Sequence, residues 1–300
     1  MGQNFADRLL GAIEQKGSPV CVGIDPVYSR LPDEFKNDLA GGNACLDAIL
    51  EFCLGVVEAV APIAAAIKPQ SAYFEVFRQR GVAAYYQVVR RARELGLLVI
   101  GDVKRNDIGS TAAAYAQAHL AGQDAPDAVT VNGYLGADGI QPFVDVCRAE
   151  GKGIFVLVRT SNPSGAEIQD FADANGTKLY EHMATQVAAI GAGEGLVAQL
   201  GYSCVGAVVG ATWPDEARQL RELMPQQIFL VPGYGAQGAS AADCAASFKP
   251  DGTGAIVNAS RSVIYAHQRK EYAGLAWRQA VQDAAQAFAD DIRRAVGPMG

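Results

Sequence analysis

The sequence is poor in the residues that do most of nature's acid–base and metal chemistry. Only three histidines occur in 300 residues. His119, His182 and His267 fall in helix-like or peripheral segments and form no H-x-x-x-H pair, so no metal site is expected. The six cysteines, at 21, 45, 53, 147, 204 and 244, match no CxxC pattern. Several sit in apolar runs such as Val20-Cys21-Val22, and they are expected to be buried, reduced thiols of a cytoplasmic protein. No basic start followed by an apolar stretch opens the chain, which speaks against a secretory signal. Met1-Gly2 is followed by Ala6 where a myristoylation signal needs Ser or Thr. The most apolar stretch, 53–67, is broken by Glu58 and Pro62, so no membrane span is expected. No block of five or six like charges reads as a tail. The net charge of −7 argues against general nucleic-acid binding, while leaving room for a local basic pocket that holds a small anion.

What is present is apolar and regular. Half of the residues are hydrophobic, enough for a large core without disulfides or metal. Short apolar runs recur at 20–24, 64–67, 97–100, 128–131, 154–158, 205–209, 228–231 and 255–257. None alternates cleanly with polar residues, which is how strands covered on both faces read. Helix-like segments lie between them, for example 73–95, 174–199 and 237–248, and flanking helices are read at 3–16 and 268–295. Eight such units predict a (β/α)8 barrel with flanking N- and C-terminal helices, residues 1–300 forming one domain. A doubly wound open sheet is the competitor, weakened by the absence of G-x-G-x-x-G after the first run.

Most runs end in a polar or glycine-rich step, and in a parallel barrel those ends gather at one face. Run one ends in Asp25, run two in Lys68, run three in Asp102 and Lys104. Strand alternation puts 98, 100, 102 and 104 on one side, so Asp102 and Lys104 point to the barrel mouth together. Lys68 is expected beside Asp102, and Asp107 follows the strand. A purely structural ion-pair network is the alternative, although desolvating four charges at a mouth is costly. Thr160-Ser161 has no histidine partner, and Ser164-Gly165 is not in a G-x-S-x-G elbow. After runs seven and eight come Gly233-Tyr234-Gly235-Ala236-Gln237-Gly238 and Asn258-Ala259-Ser260-Arg261, where glycine amides and an arginine fork favour phosphate over two plain turns.

These residues resemble a known family. Asp102-x-Lys104-x-x-Asp107, followed by Ile108 and Thr111, is similar to the signature of the orotidine 5′-phosphate decarboxylase family. The form DVKRNDIGST resembles its longer bacterial, type 2 branch. Val22-Gly23-Ile24-Asp25-Pro26, Ile67-Lys68-Pro69, Ser161-Asn162-Pro163, Gly235-Ala236-Gln237-Gly238 and Ser260-Arg261 follow in the family's order, over residues 20 to 265. Ser260 stands where many shorter members have Gly.

The resemblance implies cofactor-free decarboxylation of orotidine 5′-phosphate to UMP in de novo pyrimidine biosynthesis. Lys104 would protonate C6, and Asp102 would lie near the substrate carboxylate. Asp25 and Lys68 would hold the ribose hydroxyls and complete the charged network. Ser161 would contact the pyrimidine, and Gln237 and Arg261 the phosphate. Asp107 and Thr111 would reach across a homodimer interface into a shared site. Strand alternation separately puts Arg105 on the opposite face, where it reads as structural. Three alternatives stay open. They are a Mg2+-dependent sugar-phosphate decarboxylase or aldolase-type lyase on the same barrel, Schiff-base chemistry at Lys104 or Lys68, and a catalytically silent nucleotide-binding protein.

Overall fold

Eight parallel strands close on themselves in sequence order. They are β1 Val20–Ile24, β2 Ala66–Pro69, β3 Leu98–Arg105, β4 Ala128–Val131, β5 Gly153–Arg159, β6 Ser203–Val209, β7 Gln227–Pro232 and β8 Ala255–Ala259. The structure, a computed structural model, describes residues 3–36 and 42–297; the Met1-Gly2 dipeptide weighed for myristoylation lies outside them. β1 pairs with β8 through Val20↔Val257 and Cys21↔Asn258, and that closure rules out the open sheet.

The helices are α1 Phe5–Lys16, α2 Gly42–Val60, α3 Ala72–Glu75, α4 Arg78–Glu94, α5 Gly109–His119 and α6 Ala137–Glu150. They continue with α7 Ala166–Gln169, α8 Leu179–Gly191, α9 Pro214–Leu223, α10 Ala241–Ala245, α11 Arg261–Ile264 and α12 Trp277–Val296. Among the described residues no helix is long and apolar enough to cross a membrane. All six cysteines are unpaired, and all but Cys45 are buried.

Shape explains several small residues. Phe5 of α1 enters the bottom of the barrel and meets Phe155 edge to face, centroids 5.9 Å apart. A Cβ on Gly153 would come within 2.2 Å of the Phe5 ring, so the glycine makes that entry possible. α12 packs Trp277 against Phe52 of α2, with centroids 5.2 Å apart. The two flanking helices thus close the bottom and one side of the barrel.

Element ends differ from the sequence reading for identifiable reasons. β3 continues past the apolar run to Arg105, because its polar residues still pair with β4. The predicted helix 73–95 is split in two. Arg78 takes φ 56°, and a Cβ on Gly81 would lie 1.7 Å from the Phe74 carbonyl oxygen, so the chain folds tightly back on itself there. The segments 174–199, 237–248 and 268–295 carry shorter helices, with 3-10 turns at Ala266–Gln268 and Lys270–Tyr272 ahead of α12.

Two alanine substitutions test this packing in opposite directions. Gly11 is exposed inside α1 with nothing within 4 Å of an added Cβ, so Gly11→Ala should stabilise by about 1 kcal/mol. A Cβ on Gly206 would meet the Ile228 carbonyl at 2.6 Å and the Phe155 ring at 2.7 Å. Gly206→Ala should therefore cost about 1–3 kcal/mol in urea unfolding. Equal stabilities for the two variants would contradict the packing described.

Candidate active site

At the C-terminal ends of the strands lies a cavity of about 450 Å³. Asp25, Lys68, Asp102, Lys104, Ser161, Gln237 and Arg261 all line it, brought from β1, β2, β3 and the loops after β5, β7 and β8. Asp107 and Thr111 do not. Asp107 is half-buried, and its Oδ1 accepts from its neighbour's backbone N–H, Ile108, at 2.8 Å. Thr111 is exposed on α5.

Asp102 is the hub. Its Oδ2 accepts from Lys68 Nζ at 2.5 Å and from Gln70 Nε2 at 3.0 Å. Its Oδ1 accepts from Lys104 Nζ at 2.5 Å and from Thr130 Oγ1 at 2.9 Å. Burial by itself would raise its pKa, but the charges of Lys68 and Lys104 and their hydrogen bonds outweigh that and hold it well below the usual carboxylate range. Lys68 mirrors this: burial would favour its neutral amine, yet Asp102 and then Asp25 push its pKa up. The Lys68 side chain is only 8% exposed, whereas that of Lys104 is 46% exposed. One ammonium is therefore locked in the wall, and the other is tethered but presented to the cavity. Beneath them the Cys21 thiol, pushed up to about 12 chiefly by burial, stays protonated.

Lys104 does not reach the mouth by simple alternation. Gly101 pairs with Val129 and Arg105 with Val131, so four steps on β3 face two on β4. The chain bulges between them, and Lys104 takes φ 46°. A left-handed non-glycine residue costs about 1–2 kcal/mol. Thr130 holds it there, its Oγ1 accepting from the Lys104 backbone N–H at 3.0 Å. Thr130 thus fixes both the carboxylate and the lysine backbone. Arg105 turns away to pair with Glu75 at 2.6 Å, a structural contact as expected.

The Ser161 loop is clamped from below. Arg159 is fully buried between the rings of Trp213 and Tyr180 and pairs with Asp170 at 2.8 Å. Trp213 Nε1 donates to the Thr160 carbonyl at 2.9 Å, and Thr212 Oγ1 to that of Ser161 at 3.2 Å. A Cβ on Gly210 would sit 2.8 Å from Ser161 Cα, so the loop rests directly on that glycine.

The loop after β7 differs from a ready-made cradle of amides. Gly235, Ala236 and Gly238 give their N–H groups to carbonyls of the loop itself. The polar side chains of Gln237 and, after β8, Arg261 line the cavity. Tyr234 anchors the loop, donating to Asp291 at 2.7 Å and stacking on Phe288 of α12.

Sequence reasoning missed Gln70 and Thr130 as parts of the hub. Gln70 lies two residues beyond Lys68, and Thr130 is the polar residue inside the fourth apolar run, which was the available signal.

A sequence model of the Orotidine 5'-phosphate decarboxylase / HUMPS family matches residues 18–275. The chain is 43% identical over 291 residues to the orotidine 5'-phosphate decarboxylase of Rhodopirellula baltica, covering 94% of this chain and 95% of that one. It is 41% identical to that of Deinococcus radiodurans, covering 99% and 100%. Among solved structures, the Leishmania donovani OMP decarboxylase superposes with a TM-score of 0.76 at 29% identity, covering 98% of this chain and 99% of that one.

The hub sets a stability prediction. Asp102→Asn leaves the Lys68 ammonium buried beside a neutral amide and should cost about 3 kcal/mol near neutral pH. Adding Lys68→Met should recover most of it. Asp102 titrates below its unfolded value, so its contribution is present above about pH 4 and fades as pH falls through the depressed value. Lys68 titrates above its unfolded value, so its contribution is intact below about pH 10 and is lost as pH rises through the elevated value. Urea unfolding across pH checks both limits, and an Asp102→Asn protein as stable as wild type would contradict them.

Proposed function

The chain belongs to the Orotidine 5'-phosphate decarboxylase / HUMPS family, and from that premise we propose that its barrel mouth converts orotidine 5′-phosphate to UMP and CO2, a step of de novo pyrimidine biosynthesis. The observation that carries the reading is the buried Asp102 carboxylate between two ammonium groups, one of them presented to the cavity.

The C6–carboxylate bond breaks and its electron pair stays on C6 in the ring plane, where the ring cannot delocalise it. Attraction from the Lys104 ammonium grows as that charge forms, so it stabilises the transition state more than the ground state. Lys104 then gives its proton to C6 and regains one from solvent. Asp102 holds the Lys104 ammonium in place and faces the substrate carboxylate. Asp25 and Lys68 hold ribose hydroxyls, Ser161 meets the pyrimidine, and Gln237 and Arg261 take the phosphate. Phosphate contacts remote from C6 contribute by fixing the ring against Lys104. No step calls on a metal or cofactor.

Asp107 and Thr111 act in the site of a second copy, in a homodimer. Their position outside their own chain's cavity supports that assignment. Residues 1–300 work as one barrel unit, and six unpaired cysteines are in keeping with the cytoplasm.

Lys104→Ala should fold normally yet lower decarboxylation by more than about a thousandfold. Turnover near wild type would overturn the assignment. Mixing Lys104→Ala with Asp107→Ala subunits should restore about a quarter of wild-type activity under random exchange, because half of the dimers then carry one intact site. No recovery, with subunit exchange demonstrated, would count against shared sites.

A further inference from the structure

The loop that carries Gln237 is founded on a helix outside the barrel. Tyr234 opens the loop between two glycines with positive φ, Gly233 at 117° and Gly235 at 68°. Side chains are strained in that region, so the two glycines let the chain turn sharply on either side of the tyrosine. The Tyr234 ring stacks on Phe288 of α12, centroids 4.7 Å apart, and its hydroxyl donates to Asp291 Oδ2 at 2.7 Å. Phe288 and Asp291 are three residues apart and share one face of α12. Neither of them lines the cavity. Burial, and then the Asp291 carboxylate, push the Tyr234 pKa up, so the phenol stays a donor.

Beyond Tyr234 the loop is bonded to itself. The Gly235 N–H donates to the Ala239 carbonyl at 2.9 Å, that of Gly238 to Gly235 at 2.9 Å, and that of Ala239 to Gly233 at 3.3 Å. Gln237 is exposed on this unit and lines the cavity with Arg261. On the Arg261 side, a Cβ on Gly235 would lie 3.5 Å from Ser262 Oγ, an ordinary contact. A loop whose amides are satisfied internally shifts as one body. The bond at its base therefore sets where Gln237 stands relative to Arg261.

We propose that Asp291 of α12, acting through the Tyr234 hydroxyl, is a positioning residue that holds Gln237 where it and Arg261 grip one phosphate group. Asp291 thereby sets how strongly the site prefers phosphorylated ligands. The proposal rests on the phosphate reading given above. With the anchor made, both side chains already face one cavity, so losing it weakens the grip.

The test is ligand-observed NMR titration of UMP and of uridine against full-length wild type, Asp291→Ala, Asp291→Asn and Tyr234→Phe, with decarboxylation kinetics alongside. Asp291→Ala and Tyr234→Phe should each weaken UMP about fivefold while leaving uridine within about twofold of wild type. KM for orotidine 5′-phosphate should rise by a similar factor, with kcat at saturation changed less than about twofold. Asp291→Asn, which keeps an acceptor for the phenol, should retain most of the wild-type UMP affinity. The double variant Asp291→Ala/Tyr234→Phe should lose no more than either single one, because both remove the same bond. If Asp291→Ala fails to fold, Tyr234→Phe, which keeps its ring on Phe288, gives the same comparison. Equal losses for UMP and uridine, tighter UMP binding, or no loss in a wild type that prefers UMP would overturn the anchor alone. A wild type that binds UMP no better than uridine overturns the phosphate reading and the anchor together. Where the UMP-specific losses appear but wild type leaves orotidine 5′-phosphate unchanged, the anchor stands and the decarboxylase reading fails.

Discussion

A buried carboxylate held between two ammonium groups at the barrel mouth is the constraint around which this molecule is arranged. Asp102 is 6% exposed, and burying it alone would cost several kcal/mol. Lys68 supplies the compensating charge from the adjoining strand, and Gln70 and Thr130 occupy the remaining positions on its oxygens. With all of that in place, Lys104 is a fixed cation facing an open cavity. The barrel's strand order is what makes it possible: β2, β3 and β4 are neighbours, so residues about 30 positions apart meet at one carboxylate.

The arrangement also carries strain where reactivity is needed. Lys104 sits in a left-handed backbone conformation inside a bulge, held by the Thr130 hydroxyl. Thr130 therefore couples the orientation of the Asp102 carboxylate to that of the Lys104 chain. A preset cation of this kind is worth more than a mobile one, because no reorganisation is needed when negative charge develops beside it. The Ser161 loop is fixed by other means, through Arg159 sandwiched between Trp213 and Tyr180, so this loop and the charged hub are supported independently.

Much of this was legible in the residues. Strands buried on both faces read as short apolar runs, and the charges that continue the first three runs do lie together. Alternation placed Lys104 on the right side for an incomplete reason, since no periodicity signals a bulge. Gln70 and Thr130 were illegible because their importance arises only when three strands are neighbours. The long helix 73–95 read as continuous because its polarity pattern carries no mark of the left-handed turn at Arg78. Glycines after β7 suggested free amides, but whether an amide is free depends on loop carbonyls that composition does not reveal. The partner-facing roles of Asp107 and Thr111 rest on the resemblance, with their place outside the cavity as support.

The proposed electrostatic centre at Asp102 and Lys104 would remove CO2 with side chains alone. It is tested most directly by following ultraviolet absorbance after adding orotidine 5′-phosphate to wild-type protein freed of metal and kept in excess EDTA. The expected result is a complete loss of substrate absorbance with one CO2 and one UMP formed per substrate consumed. An absorbance that stays constant until Mg2+ is restored would contradict it.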